Sequence, residues 1–306
     1  MTQALPIPEV FATLSRAAAE LAAIAAASTV QVHGRPRRPA SGVVVAPERV
    51  LTTSHSVESD EGVRVRGADG QEHAAEVAGH AAGPDLVLLR VPGLAAPPLA
   101  ASPEPVRAGE LVLVAGRAWS GNPHVRLVTV SGVGGPLRAG DGTHIEHVFG
   151  LPVSPYPGVS GSAVIDATGR LAGLATAGIV RGRVLGLPAP ALEALAATLE
   201  SKGTLARGFL GVTTQPARLT ASQATLAGQE RGLVIVGVAA DSPAARAGVL
   251  VGDVLVGAGG AAVHSAEDLL AALGPERVDR PIALRLLRGT AATDVDAIVG
   301  ARPARW

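Results

Sequence analysis

Between Gly42 and Leu187 the chain runs as short β-branched or leucine-rich stretches cut by Gly, Pro and Asp. They are Val43-Val44-Val45, Arg49-Val50-Leu51-Thr52, Leu86-Val87-Leu88-Leu89, Leu111-Val112-Leu113-Val114, Leu127-Val128-Thr129-Val130, Ala163-Val164-Ile165 and Leu171 to Ala175. With so little helical periodicity between them, these strands lack the helical crossovers that parallel neighbours need. The pattern therefore predicts an antiparallel barrel or sandwich. Hydrophobic residues make up 47% of the chain but aromatics only 2%, so its cores must be built from Val, Leu, Ile and Ala.

The flanks read differently. Val10, Leu14, Ala17, Leu21 and Ile24 follow a helical stripe that Pro8 opens, which predicts one leading helix within residues 1–28. Leu192, Leu195 and Leu199 mark a second helix from Pro190 to Ser201, with Gly203 as its stop. It would link a first domain, residues 29–189, to a second, residues 207–302, through a helical linker at 190–206. In the second domain strands are expected at Gly208 to Val212, Leu233 to Val238, Asp253 to Val256 and Ile282 to Leu287. Ser242-Pro243 starts a short helix, and Ser265 with Asp268 has the spacing of an N-terminal cap. A chain of 306 residues agrees with two cores rather than one.

Several function classes drop out on composition. Lys plus Arg and Asp plus Glu are 26 each, which leaves no global field to gather nucleic acid or an anionic membrane. The one basic cluster, Arg35, Arg37 and Arg38 broken by Pro36, reads as a solvated loop. There is no cysteine, so neither disulfide nor thiol chemistry is open to this sequence. His144, Glu146 and His147 lack metal-ligand spacing, and the segment reads as strand with Glu146 on the opposite face, so no metal or other cofactor is expected. The first residues carry no basic n-region, and Glu20 interrupts the apolar stretch from Ala17 to Ala27. That argues against a signal peptide and against a transmembrane segment, so the literal reading is a cytoplasmic chain.

Three residues stand where acyl-transfer chemistry needs them. A hydroxyl attacks a carbonyl only if a base takes its proton, a third group orients that base, and donors stabilise the oxyanion. His55 follows the strand Arg49 to Thr52, Asp85 immediately precedes Leu86 to Leu89, and Ser160 lies in Pro157-Gly158-Val159-Ser160-Gly161-Ser162. Taken singly, each has a plain alternative: a loop histidine, a turn aspartate, a Gly/Ser turn before a strand. The glycines around Ser160 permit the dihedrals of an anion nest, with the amides of Gly158 and Ser160 as oxyanion donors. The order His, Asp, Ser is that of the chymotrypsin arrangement, and Ser162 breaks the Gly-x-Ser-x-Gly elbow of α/β-hydrolases.

Leu51-Thr52 with His55 and Val57, then Asp85-Leu86 with Leu89, then Pro157-Gly158 with Ser160-Gly161 together resemble the HtrA/Deg family of trypsin-like serine proteases. Val106 to Gly116 and the helix after Leu187-Pro188 continue the resemblance. It implies a mainly β fold, a chymotrypsin-like double β-barrel followed by a small α+β PDZ domain. It also implies His55 as general base, Asp85 as its partner and Ser160 as nucleophile. Ala175, Thr176 and Ala177 would border the substrate pocket and, carrying no acid, favour a small or medium apolar side chain. Val159, Ser162 and Ala175 depart from the family pattern.

Gly208-Phe209-Leu210-Gly211-Val212 resembles the carboxylate-binding loop of bacterial PDZ domains, and Asp241 to Val249 with Gly252-Asp253-Val254-Leu255 resembles their central signature. The loop amides would receive a peptide C-terminus while the neighbouring strand edge adds the peptide as a further strand. Phe209 is then a pocket residue, or else an ordinary core aromatic. The whole sequence reads as a cofactor-free serine endopeptidase for unfolded or damaged proteins, with a possible homotrimer and, by family, an extracytoplasmic setting. The competing reading is an inactive, peptide-binding scaffold.

Overall fold

The computed structural model describes residues 7–36, 38–81, 83–117, 119–138, 144–203, 208–274 and 277–301, with only the main chain of Ile7, Arg138 and His144. Two compact units meet in the sequence at Leu205 and Ala206.

The first unit opens with helix α1 (Ile7–Ser28). A seven-stranded antiparallel sheet follows, made of β1 (Thr29–His33), β2 (Ala40–Ala46), β3 (Arg49–Thr53), β4 (Arg64–Arg66), β5 (Glu72–Ala74), β6 (Glu76–Ala81) and β7 (Leu86–Arg90), in the order β5-β4-β1-β2-β3-β7-β6. The next strands are β8 (Leu111–Arg117), β9 (Pro123–Thr129), β10 (Gly132–Gly134), the small hairpin β11 (Leu137–Arg138) with β12 (His144–Ile145), β13 (Val148–Leu151), β14 (Ala163–Ile165), β15 (Leu171–Thr176) and β16 (Val184–Pro188). All but the hairpin join a second seven-stranded sheet, β10-β13-β16-β15-β14-β8-β9. Helix α2 (Ala189–Lys202) closes the unit, its end capped by Gly203 at φ 71°.

The unbroken apolar runs follow from this arrangement. Alternate residues of a strand face opposite ways, and here both faces are buried. Val87 and Leu89 enter the first sheet's interior with Val30, Val44 and Val50, while Leu86 and Leu88 turn outward into a core shared with α2. In β8, Val112 and Val114 fill the second sheet's interior, and Leu113 and Ala115 join the shared core. Aromatic poverty leaves Phe149, inside the second sheet, as the one fully buried aromatic ring among the described residues. Gly173 and Gly186 make its space: a Cβ at Gly186 would stand 2.1 Å from the ring. The fold is thus mainly β, with two curled sheets as expected of a double barrel.

Helix α1 differs from its sequence reading. Broken by charges, it carries no continuous apolar run, yet over Pro8–Ser28 its alanines bring the mean hydropathy to 1.4, enough by length and composition alone to cross a bilayer. Leu21, Ala22 and Ala25 pack into the shared core, whereas Val10, Phe11 and Leu14 are exposed. The segment around Glu146 differs too: Glu146 and His147 lie between β12 and β13 rather than within a strand. The His144 side chain falls outside the described residues, among which no cluster suited to a metal occurs.

The second unit contains β17 (Gly208–Phe209), β18 (Val212–Arg218), α3 (Ala221–Ala227), β19 (Arg231–Val238), α4 (Pro243–Arg246), β20 (Val254–Ala258), β21 (Ala261–Ala262), α5 (Ala266–Ala272), β22 (Pro281–Arg288), β23 (Ala291–Ile298) and β24 (Gly300–Ala301). Its main sheet runs β18-β19-β20-β22-β23, which leaves β18 on an edge. Leu210, Leu233, Ile235, Leu255, Leu284 and Leu286 lead its core. Ser242 caps α4, and Ser265 with Asp268 forms the capping box of α5. The expected strand at Gly208 to Val212 is broken at Leu210-Gly211, where Gly211 takes φ 78°.

Candidate active site and peptide groove

Strand register brings the first two site residues together. β3 ends at Thr53 in a single 3-10 turn, Ser54–Ser56, which presents His55, with its side chain 33% exposed. β7 pairs with β3 so that Leu86 lies opposite Thr53, placing Asp85 beside that turn. The Ser54 amide donates to the Asp85 carbonyl at 3.0 Å. Asp85 itself takes φ 60°, a left-handed conformation that aspartate tolerates better than most residues.

His55 Nδ1 lies 2.9 Å from Asp85 Oδ1 and 2.8 Å from Oδ2, and the His55 amide donates to Oδ1 at 3.0 Å. An ionised carboxylate only accepts, so in this pairing Nδ1 carries the proton and Nε2 keeps its lone pair. Thr176 Oγ1 adds a donor to Oδ2 at 2.5 Å and accepts from the Gly178 amide at 3.0 Å. A Cβ on Gly178 would stand 2.5 Å from His55 Nδ1 and 2.6 Å from Asp85 Oδ2, so the main chain passes this pair at a distance only glycine permits.

Ser160, 7% exposed, follows a turn whose chemistry is written in Tyr156-Pro157-Gly158-Val159. The Val159 amide donates to the Tyr156 carbonyl at 3.1 Å and Gly158 sits at φ 89°, a type II turn with Pro and Gly at their favoured positions. Neither the Gly158 nor the Ser160 amide donates to another described residue, so both are available to an incoming oxygen. Ser160 Oγ accepts from the Ala177 amide at 3.3 Å and makes no hydrogen bond to His55.

Two departures from the family pattern find their physical setting. Val159 is 2% exposed and packs with Val106, Val112 and Phe149, so apolar burial holds it. Ser162 is fully buried, and its hydroxyl donates to the Gly158 carbonyl at 2.9 Å. That carbonyl also accepts from Ser41 Oγ at 2.6 Å. Of the residues expected at the substrate pocket, Ala177 is half-buried beside Ser160, while Ala175 and Thr176 are fully buried and the Thr176 side chain is committed to Asp85. A cavity of about 460 Å³ lies elsewhere, lined by Leu51, Leu88, Leu99 and Leu171 under Leu192 and Ala196 of α2. Arg49 and Glu200, paired at 2.7 Å, also border it, and none of the site residues does.

In the second unit, Leu210 and Gly211 turn their carbonyls toward the chain around α4. Leu210 O accepts from the Ala244 amide at 2.9 Å and Gly211 O from the Ala239 amide at 2.8 Å. In a trans peptide the N–H points opposite to the preceding C=O, so the Gly211 and Val212 amides face the other way, as an incoming carboxylate requires. Gly208 is held to glycine by the Leu273 carbonyl, 2.4 Å from where a Cβ would stand, and the half-buried Phe209 pairs with Gly300.

Comparison with known families assigns residues 40–174 to the trypsin-like peptidase domain and residues 208–299 to the PDZ domain. In that pairing of domains the chain is similar to HtrA-type proteases. A probable periplasmic serine endoprotease, DegP-like, of Pseudomonas putida is 26% identical over 270 residues, 86% of this chain and 56% of its own length. Its counterpart of Brucella suis is 26% identical over 89% of this chain and 54% of its own. The chain therefore spans about half the length of these curated relatives. Among solved structures, the HtrA-type protease AlgW with a tripeptide is 26% identical with a TM-score of 0.61, covering 93% of this chain and 97% of that one. The serine endoprotease from Yersinia pestis reaches a TM-score of 0.66 at 22% identity, covering 93% and 98%.

The structure joins His55 directly to Asp85 and reaches Ser160 through Thr176 and the Ala177 amide, groups that sequence reasoning did not assign this part. Ser41 and Gly178 carry no motif that sets them apart. Their importance lies in distances across the sheets that only the fold reveals.

Proposed function

We propose that this chain is a serine endopeptidase working through an acyl-enzyme. The observation that carries the reading is a His55 imidazole with Nδ1 on Asp85, near Ser160, with Nε2 and the Gly158 and Ser160 amides free of partners among the described residues. Ser160 Oγ attacks the substrate carbonyl as its proton passes to His55 Nε2, and the Gly158 and Ser160 amides receive the oxyanion. His55 then returns the proton to the leaving amine, and water, activated by the same imidazole, releases the acyl group. Asp85 stays ionised throughout and stabilises the imidazolium. Ala177 and the main chain at Ala175 and Thr176 would border a pocket for a small or medium apolar side chain. Unfolded or damaged proteins are the substrate class.

The second unit, residues 207–302, would bind peptide C-termini at Gly208, Phe209, Leu210, Gly211 and Val212, either tethering substrates or regulating access. Relatives named periplasmic, together with the apolar α1, favour an extracytoplasmic site of action. One observation favours the inactive-scaffold reading: Ser160 Oγ points to the Ala177 amide rather than to His55. A serine hydroxyl changes rotamer at little cost, and such bonds often close only around substrate. Cleavage of casein by the wild type and by Ser160→Ala, each with and without an apolar C-terminal peptide, decides the matter. Loss of cleavage in the variant alone supports the peptidase. Two inert proteins, with no labelling of Ser160 by a fluorophosphonate, favour the scaffold.

A further inference from the structure

Ser41 lies on β2, in the sheet opposite the nucleophile turn, and is fully buried. All its polar groups are engaged. Its hydroxyl donates to the Gly158 carbonyl at 2.6 Å and accepts from the Arg117 amide of β8 at 2.8 Å. Its amide donates to the Ser160 carbonyl at 3.0 Å, and its carbonyl accepts from Thr52 Oγ1 at 2.7 Å. The close fit is enforced on both sides. A Cβ on Gly161 would stand 1.8 Å from the Ser41 carbonyl oxygen, and one on Gly116 would stand 2.4 Å from its hydroxyl.

The consequence follows from peptide planarity. Each carbonyl shares a rigid plane with the next residue's amide, so anchoring one end fixes the other. Ser41 Oγ anchors the plane between Gly158 and Val159, and Ser41 N anchors the plane between Ser160 and Gly161. Between them lies the plane that carries the Ser160 amide, and just before them the plane that carries the Gly158 amide. The Ser160 donor therefore hangs between two planes that Ser41 anchors, its own plane held as well by the Ser162 amide on the Val159 carbonyl at 3.1 Å, and the Gly158 donor adjoins the first of them. Elsewhere on the turn, Ser162 Oγ shares the Gly158 carbonyl at 2.9 Å.

We propose that Ser41 is a positioning residue for the oxyanion hole, setting the direction of the Gly158 and Ser160 amides from the neighbouring sheet. The inference rests on the peptidase reading. Its effect belongs to the transition state, where charge develops on the carbonyl oxygen, and not to ground-state binding.

The test uses the full chain as wild type, Ser41→Ala, Ser41→Cys and Ser162→Ala, with a chromogenic peptide substrate and a peptide boronate that forms a tetrahedral adduct on the nucleophile. Cysteine fills the place of Ser41 with a larger atom and a weak donor, so beside alanine it separates loss of the hydrogen bond from loss of volume. Ser41→Ala and Ser41→Cys are expected to lower kcat by about tenfold to a hundredfold and weaken the boronate in parallel. KM should stay within about threefold. Ser162→Ala, which leaves one of the two hydroxyls on Gly158, should lose less than Ser41→Ala. Full activity in Ser41→Cys overturns the proposal, as does a fall in kcat with boronate affinity intact. A wild type that neither cleaves nor binds the boronate overturns the peptidase reading itself, and this inference with it.

Discussion

Thr176 brings one proton to Asp85 Oδ2 at 2.5 Å from a fully buried position, with its own oxygen supplied by the Gly178 amide. A hydrogen bond to a buried charge is worth about 1.5 to 3 kcal/mol, and its loss lets the carboxylate rotate away from the imidazole it orients. Thr176→Val, which keeps the shape, should lower kcat on a chromogenic peptide by about tenfold or more with KM unchanged, and Thr176→Ser should restore it. Equal losses in both variants would assign Thr176 to packing alone. The resemblance marked this residue, with Ala175 and Ala177, as bordering the substrate pocket. Which way its side chain points depends on the β15–β16 register, in which Thr176 faces Leu185, and no local pattern states that. His55, Asp85 and Ser160 could be singled out because each lies beside a strand with a distinctive neighbourhood. The supporting hydroxyls of Ser41 and Ser162 were not, because serines in strand-like runs look alike until the sheets meet.

Elements were legible where a strand buried on both faces is also an unbroken apolar run, as in β2, β3, β7 and β8, whereas β1 and β16, buried as fully, escaped because Thr29, Gln31 and Gly186 interrupt theirs. β5, β9 and β10 escaped or were only half seen, since one or both faces are exposed and polar or glycine residues dilute the signal. Helix α3 escaped as well. It has a Thr220–Gln223 capping box but buries no residue, so there is no apolar stripe to read. Strand β18 carries a functional limit of its own. Pro216 lies opposite Leu233 in the pairing with β19, and a residue with no amide proton fits there only if its main chain points to the open edge. By alternation Val212 and Thr214 share that edge, so an added peptide finds both donor and acceptor only as far as Thr214. C-terminal peptides longer than about five residues should therefore gain less than about twofold in Kd, measured by calorimetry on a length series. A steady gain out to ten residues would place the peptide on a different edge.

At the scale of the whole molecule, α1 is held at one end only. Arg117, 5% exposed, donates to the carbonyls of Ala26 and Thr29 at 2.7 Å each, fastening the C-terminal turn of the helix to β8 while Ala25 sits in the core. Toward its start, Val10 at 47%, Phe11 at 67% and Leu14 at 37% exposure stand uncovered on adjacent positions. An apolar helical stretch gains most of its stability from burying such a face, and two surfaces would cover it, another copy of this chain or a lipid bilayer. Equal numbers of acidic and basic residues, 26 each, leave no net charge to keep copies apart. In the assembled reading, wild-type chain sediments as about three copies, whereas Phe11→Asp with Leu14→Asp sediments as one and keeps its fold, because neither side chain lies in a core. If the wild type is instead monomeric and floats with lipid vesicles while the double variant does not, α1 is a membrane helix, and the same exposed stripe that argues for assembly becomes the argument for an anchor.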